Sequence, residues 1–186
     1  MDQAVKTNVN GIDVAGLTEA AGAIGENPEQ GMVNFVVTTN WLGQTQCETE
    51  ITRMALGGED LDRPFTFRTD EPTELFGKNE YPNPQEYLLG SMNGCMAVGY
   101  VAGAAMQGIT IESLSVEARG DIDLRGFLGL SDTVKPGYDT ITCTVRIKGD
   151  GTPEQFAELH EVVKKTSPNY FNVASPINLE SELVVE

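Results

Sequence analysis

The hydrophobic and polar positions change period several times along this chain, and each change predicts an element. Val14, Leu17, Ala21 and Ile24 recur at helical spacing behind Asp13, a residue suited to cap the first free amides of a helix. Asn27-Pro28 closes that segment. From Val33 to Trp41 the period falls to two, with Val33, Phe35 and Val37 on one side, which predicts a strand. Gly43-Gln44 supplies a turn, and Cys47, Thr49 and Ile51 then alternate with Glu48, Glu50 and Thr52 as a half-exposed partner strand. Phe65-Thr66-Phe67 predicts a third, short strand, and residues 70–84, with Pro72, Gly77, Pro82 and Pro84, read as loop.

The pattern then changes: no charged side chain occurs between Tyr87 and Ile111. Pro84 suits the first turn of a helix, Asn83 its cap and Gly108 its stop. The run between them predicts a central helix to about Gln107, apolar on most sides and therefore buried. Residues 109–124 predict a strand with Leu114, Val116 and Ala118 on one face. Residues 140–148 alternate strictly, with Ile141, Cys143, Val145 and Ile147 on the apolar side. Between these strands, Gly126 to Leu130 and Pro136-Gly137 form a long apolar loop. Thr152-Pro153-Glu154-Gln155 is a capping box that opens a helix with Phe156, Leu159, Val162 and Val163 inward. Ser167-Pro168 breaks this helix, and Ile177, Leu179, Leu183 and Val185 predict a last strand. This order of elements predicts an α+β fold, one domain over residues 1–186 with residues 1–30 as a helical extension, in which sheet wraps an apolar helix. The spacings Gly90/Gly94 and Gly99/Gly103 invite close approach of another backbone, and one small sheet does not cover so apolar a helix; both point to an intimate homodimer.

Composition narrows the function. The 186 residues are 40% hydrophobic, enough for one substantial core. A net charge of −16 disfavours nucleic acid and anionic membranes as partners. The uncharged run is long enough to raise the question of a membrane span. However, Gly90, Gly94, Gly99, Gly103 and Gly108, with Asn93 and Gln107, favour a buried helix of a soluble protein. Met1 to Lys6 lacks a basic region followed by an apolar one, so a cytoplasmic location is expected. The three cysteines, Cys47, Cys95 and Cys143, form no CxxC, and His160 is the single histidine. Neither a structural zinc site nor a disulfide framework is expected, and no cofactor is implied.

The segment from Asn83-Pro84-Gln85-Glu86-Tyr87 through Gly94-Cys95 resembles the OsmC/Ohr family of thiol-dependent hydroperoxide reductases. Gly108-Ile109-Thr110-Ile111 does so too. Gly120 to Gly129, Lys135-Pro136-Gly137-Tyr138, Ser167-Pro168, Asp70-Glu71-Pro72 and the N-terminal helix look like one OsmC-like branch, so the resemblance covers nearly the whole chain. It implies an intertwined homodimer whose sheets wrap two central helices, with paired pockets at the interface. It also implies oxidative-stress chemistry: a thiolate attacks the O–O bond of an organic hydroperoxide, a second cysteine closes a disulfide, and a thiol reductant recycles it. An arginine and a glutamate near the first cysteine favour the thiolate and orient the peroxide.

Cys95 matches the attacking position. Ser167 stands where the second cysteine would be, and Gln85 where the glutamate would be. Glu86 is adjacent to Gln85 but about 100° around the helix. The turn Trp41 to Thr45 lacks the expected arginine. Arg125, in an apolar glycine-rich loop, is the leading substitute cation, although an Asp-x-Arg pair also forms local ion pairs; Arg53, Arg63 and Arg68 are weaker candidates. Gln85, Glu86, Ser167 and Phe127 are the candidate substrate contacts, with Trp41 and Tyr87 either pocket lining or core. Ser167 suits a cap or a pocket wall better than a nucleophile, Cys47 and Cys143 read as core, and His160 as part of a solvated face. Cys95 itself is either a reactive thiol or an inert buried one. Three functions follow: a one-cysteine thiol peroxidase recycled by an external thiol, a degenerate relative that binds a small apolar or acyl ligand at the dimer interface, or a redox sensor.

Overall fold

The computed structural model describes residues 8–185, and the chain divides into two compact units. The first holds Asn8 and residues 13–88; the second holds residues 9–12 and 89–185. Residues 1–7, the start of the expected extension, lie outside the described residues.

A two-stranded pair, β1 (Asn8–Val9) and β2 (Ile12–Asp13), leads into α1 (Val14–Glu26). Asp13 caps α1 as its sequence predicts, its carboxylate accepting from the amides of Ala15 and Gly16. The first unit is then dominated by a long antiparallel hairpin, β3 (Val33–Gly43) and β4 (Gln46–Leu56). β4 also pairs with β5 (Glu59–Asp60) and β6 (Thr66–Thr69). The hairpin turns at Gly43 and Gln44, both at positive φ. Its sides remain open: β3 buries no residue, and Phe35, Val37 and Trp41 are 67%, 57% and 73% exposed. Among the described residues of this unit only Thr49, Ala55 and Asp70 are buried.

Asp70 organises the loop that follows. Its carboxylate accepts from the Thr45 hydroxyl at 2.6 Å, from Gln46 Nε2, and from the amides of Glu71, Lys78 and Glu80. These donors hold the Asp70 carboxyl far below the usual carboxylate range, Thr45 contributing most. The loop ends at Asn83, whose Oδ1 accepts from the Gln85 amide while the Glu86 carboxylate accepts from the Asn83 amide. That reciprocal cap starts α2 (Pro84–Met106), which begins in the first unit and continues in the second.

In the second unit α2 buries one face, Met92, Met96, Tyr100 and Ala104, at four-residue spacing. The expectation of burial on most sides is not met within this chain: Val98 is 69% exposed and Met106 46%. By length and composition α2 could cross a membrane, but its methionine face packs into this core. The covering layer is the antiparallel pair β7 (Ile111–Gly120) and β8 (Ile141–Gly149). Leu114, Val116, Ala118, Cys143 and Val145 pack from it onto the helix. β7 ends at Gly120, short of the expected Leu124. Asp123 instead caps a single helical turn, α3 (Leu124–Phe127), inside the segment read as loop.

The capping box at Thr152 and Gln155 forms and opens α4 (Pro153–Thr166), followed by α5 (Pro168–Ala174). Leu159 and Val163 are buried, but Val162 is 51% exposed because it lies about 90° from the centre of the Phe156–Leu159–Val163 face. The predicted last strand does not form. Residues 175–185 have no ladder partner among the described residues, and Leu179 and Leu183 are 88% and 86% exposed.

Candidate functional site

Cys95 is half-buried on α2, and its position follows from how α2 meets α4. A Cβ on Gly103 would lie 2.5 Å from Leu159 Cδ1, and one on Gly99 would lie 3.3 Å from Val163 Cγ1. The next rung, four residues back on α2 and four onward on α4, is Cys95 and Ser167. There the Ser167 hydroxyl donates to Cys95 Sγ at 3.3 Å. The helices therefore run antiparallel along a seam stepped by four on each side, as ridge packing along the i±4 rows favours. One turn further, Asn169 Nδ2 donates to the Ser91 carbonyl at 3.1 Å. Of the two glycine pairs, Gly99/Gly103 thus admits a helix of the same chain, whereas a Cβ at Gly90 or Gly94 would meet nothing within 4 Å.

Ser167 is 4% exposed and serves both helices. Its amide donates to the Val163 carbonyl at 2.8 Å, ending α4, and its hydroxyl oxygen accepts from the Tyr170 amide, starting α5. The sequence reading of a cap is correct, and the sulfur contact comes in addition to it.

The other candidates are held elsewhere. Arg125 is bound to Asp123 through three side-chain contacts, the shortest at 2.5 Å, and its side chain is 64% exposed. The pair stabilises both charges, holding Asp123 at about 2 and raising Arg125. This is the local ion pair that the Asp-x-Arg spacing allows. Arg53 pairs with Asp60, Arg68 with Glu48 and the Tyr81 hydroxyl, and Arg63 lies over the Phe65 ring. Where the resemblance places an arginine, the hairpin turn ends in Thr45, which, with Gln46 at the start of β4, is engaged with Asp70. Gln85 and Glu86 lie in the first unit, and the Glu86 carboxylate is occupied by the helix cap. Phe127 is 70% exposed at the end of α3. Tyr87 stacks at a tilt on Phe67 within the first unit, ring centres 5.0 Å apart.

Cys143 packs on Met96, sulfur to sulfur 3.8 Å, and burial pushes its thiol up. His160 is not on a purely solvated face. It is half-buried, and its Nδ1 is hydrogen bonded to the hydroxyl of fully buried Tyr100. Burial, with smaller contributions from Cys143 and Glu161, pushes that phenol up to about 12. Periodicity gave some warning, since His160 follows Leu159 directly and lies about 70° from the buried face. Among the described residues no three His, Cys, Asp or Glu side chains converge as a metal site. A cleft of ≈ 680 Å³ between the loops around Asp121 and Lys135 includes neither Cys95 nor Ser167 in its lining.

A half-buried thiol beside a buried hydroxyl donor, on an apolar helix, can act as a nucleophile once ionised. It cannot form a disulfide with its neighbour, because that neighbour is serine. The comparisons agree with this architecture. A model of the OsmC family, described as OsmC-like protein, matches residues 77–182. An OsmC-like protein from Mycoplasma pneumoniae superposes with a TM-score of 0.59 at 15% identity, over 76% of this chain and 87% of its own. An OsmC-like protein of unknown function from Vibrio cholerae gives 0.57 at 12% identity, over 75% and 92%. An OsmC-like hydroperoxide resistance protein from Jannaschia sp. CCS1, 19% identical over 82% and 93%, superposes more loosely, at 0.48. No curated protein matches the chain. With more than half of its length matched, this chain belongs to the OsmC-like family.

Proposed function

We propose that this protein reduces organic hydroperoxides through Cys95 as a one-cysteine thiol peroxidase in oxidative-stress defence. The observation that carries the reading is the pairing of Cys95 Sγ with Ser167 Oγ at 3.3 Å: the sulfur's neighbour is the serine that the resemblance aligns with the second cysteine, and it has no thiol. The Cys95 thiolate attacks the terminal oxygen of ROOH; the S–O bond forms as the O–O bond breaks. The enzyme is left as Cys–SOH, and the alkoxide takes a proton to leave as ROH. Ser167 has no sulfur to close a disulfide, so an external thiol condenses with the sulfenic acid and releases water. A second thiol then displaces Cys95 from the mixed disulfide.

The protein works as a homodimer in this reading. A first unit that buries three of its described residues while leaving β3 open is short of the burial an independent fold needs. The open Gly90/Gly94 face and exposed Val98 of the second unit likewise call for a cover. A soluble cytoplasmic enzyme, with no part for nucleic acid or membrane, fits the charge of −16.

Arg125, held by Asp123, is available to the site only if that ion pair opens. The degenerate, ligand-binding reading remains the competitor, because the usual charged groups are absent or engaged. Consumption of cumene hydroperoxide with dithiothreitol decides between them. Turnover that disappears in Cys95→Ser supports the peroxidase; equal consumption by the parent and Cys95→Ser eliminates it.

A further inference from the structure

We propose that Ser167 is a positioning residue for Cys95: its hydroxyl donates a hydrogen bond to the sulfur and favours and aims the anionic nucleophile in place of a neighbouring cation. The proposal rests on the nucleophilic reading of Cys95 and assigns a donor that this reading leaves open.

The direction of the hydroxyl proton follows from its other contact. A serine oxygen has one proton and two lone pairs. The Tyr170 amide donates to one of the lone pairs at 3.4 Å, so the proton points elsewhere, and Cys95 Sγ at 3.3 Å is the acceptor it reaches. At 4% exposure the hydroxyl has little access to solvent as an alternative acceptor. A thiol is a weak acceptor and a thiolate a strong one, so the same contact is worth more when Cys95 is ionised. The hydroxyl therefore holds and aims the sulfur most firmly when it is the anionic nucleophile.

The contact is held from several sides. The Ser167 amide is bonded to the Val163 carbonyl. Gly99 against Val163 and Gly103 against Leu159 fix the register of the two preceding rungs. Arg125, the leading cation candidate of the sequence, is occupied by Asp123.

The test is the rate of Cys95 alkylation by iodoacetamide at pH 7.5 in wild type, Ser167→Ala, Ser167→Thr and Ser167→Asp. Mass spectrometry of the separate peptides distinguishes Cys95 from Cys47 and Cys143. Aspartate keeps an acceptor for the Tyr170 amide, and so the cap, but has no proton to donate. Both Ala and Asp variants are expected to slow Cys95 about tenfold or more, the effect of one charge-assisted hydrogen bond, and to displace the rate–pH profile to the alkaline side. Threonine is expected to stay within about threefold of wild type, since it retains the hydroxyl. Unchanged rates in both Ala and Asp variants overturn the proposal. So does a slow Ala variant beside a normal Asp one, which assigns the effect to the cap, or a normal Ala variant beside a slow Asp one, which assigns it to added charge. A threonine variant as slow as alanine also counts against it. Urea midpoints identify any variant that fails to fold, in which case Asp and Thr alone carry the comparison. Hydroperoxide consumption separates the two readings: the Ser167 pattern without turnover sinks the peroxidase alone, and Cys95-dependent turnover with no Ser167 effect sinks this proposal alone.

Discussion

Replacing Gly103 by alanine tests the seam that places Cys95, because the new methyl group would lie 2.5 Å from Leu159 Cδ1. Carbon atoms pack at about 3.5–4.0 Å, and Leu159 is fully buried, so its methyl must shift within the core rather than into solvent. Overpacking of this kind costs about 1–3 kcal/mol. Alanine gains about 1 kcal/mol over glycine inside a helix, so the single variant should end between unchanged and about 2 kcal/mol less stable. Leu159→Ala alone should cost about 3 kcal/mol, since the void it leaves is bordered by a residue with no side chain to fill it. In that background Gly103→Ala meets no clash and should stabilise by about 1 kcal/mol. The effect of one substitution therefore changes by about 1–3 kcal/mol between backgrounds, a coupling well above the roughly 0.5 kcal/mol scatter of independent sites. Urea unfolding midpoints at constant slope and fixed protein concentration measure it. Equal effects of Gly103→Ala in the two backgrounds would refute the register.

Two further predictions concern pH. The Asp70 carboxyl is depressed in the fold, so its contribution is complete above the unfolded value of about 3.9 and is lost as pH falls below it. Asp70→Asn, which turns an amide group toward five donors, should lower the urea midpoint at pH 7 and flatten the dependence below pH 4; an unaltered acid limb in that variant would contradict the assignment. The Tyr100 phenol is raised to about 12, so its contribution is complete below the unfolded value of about 10 and is lost between pH 10 and 12. Tyr100→Phe should weaken the alkaline loss of stability, and a matching alkaline limb in both proteins would argue against a buried phenol as its source.

The parts of the fold legible in the sequence were those set within a few residues. Asp13 and Thr152 cap α1 and α4 because capping needs only a side chain and the next amides. The hairpin β3–β4 follows from period-two alternation and a turn at Gly43-Gln44. The tail from Ile177 to Val185 alternates in the same way, yet a strand needs a partner, which alternation does not provide. Asp70 was read only as part of a loop, because three of its five donors are backbone amides brought together by the chain path. The Cys95–Ser167 contact spans 72 residues, beyond any local pattern; the resemblance implied it by standing Ser167 at the second-cysteine position, and the helix spacing held a further signal. Cys95, Gly99 and Gly103 match Ser167, Val163 and Leu159 when the two helices are laid antiparallel, small residues against larger ones in two of the three rungs. The glycine spacing was read as an invitation to another backbone; for Gly99 and Gly103 the side chains that approach belong to a helix of the same chain.

The central claim is that Cys95 is the peroxide-reactive atom of this protein. One equivalent of cumene hydroperoxide added to the pre-reduced protein, followed by dimedone trapping and mass spectrometry, tests it directly. The account predicts a sulfenic acid adduct on the Cys95 peptide, near one per chain, with Cys47 and Cys143 left as thiols. Cys95 recovered unmodified while peroxide persists, or oxidation spread equally over the three cysteines, would contradict it.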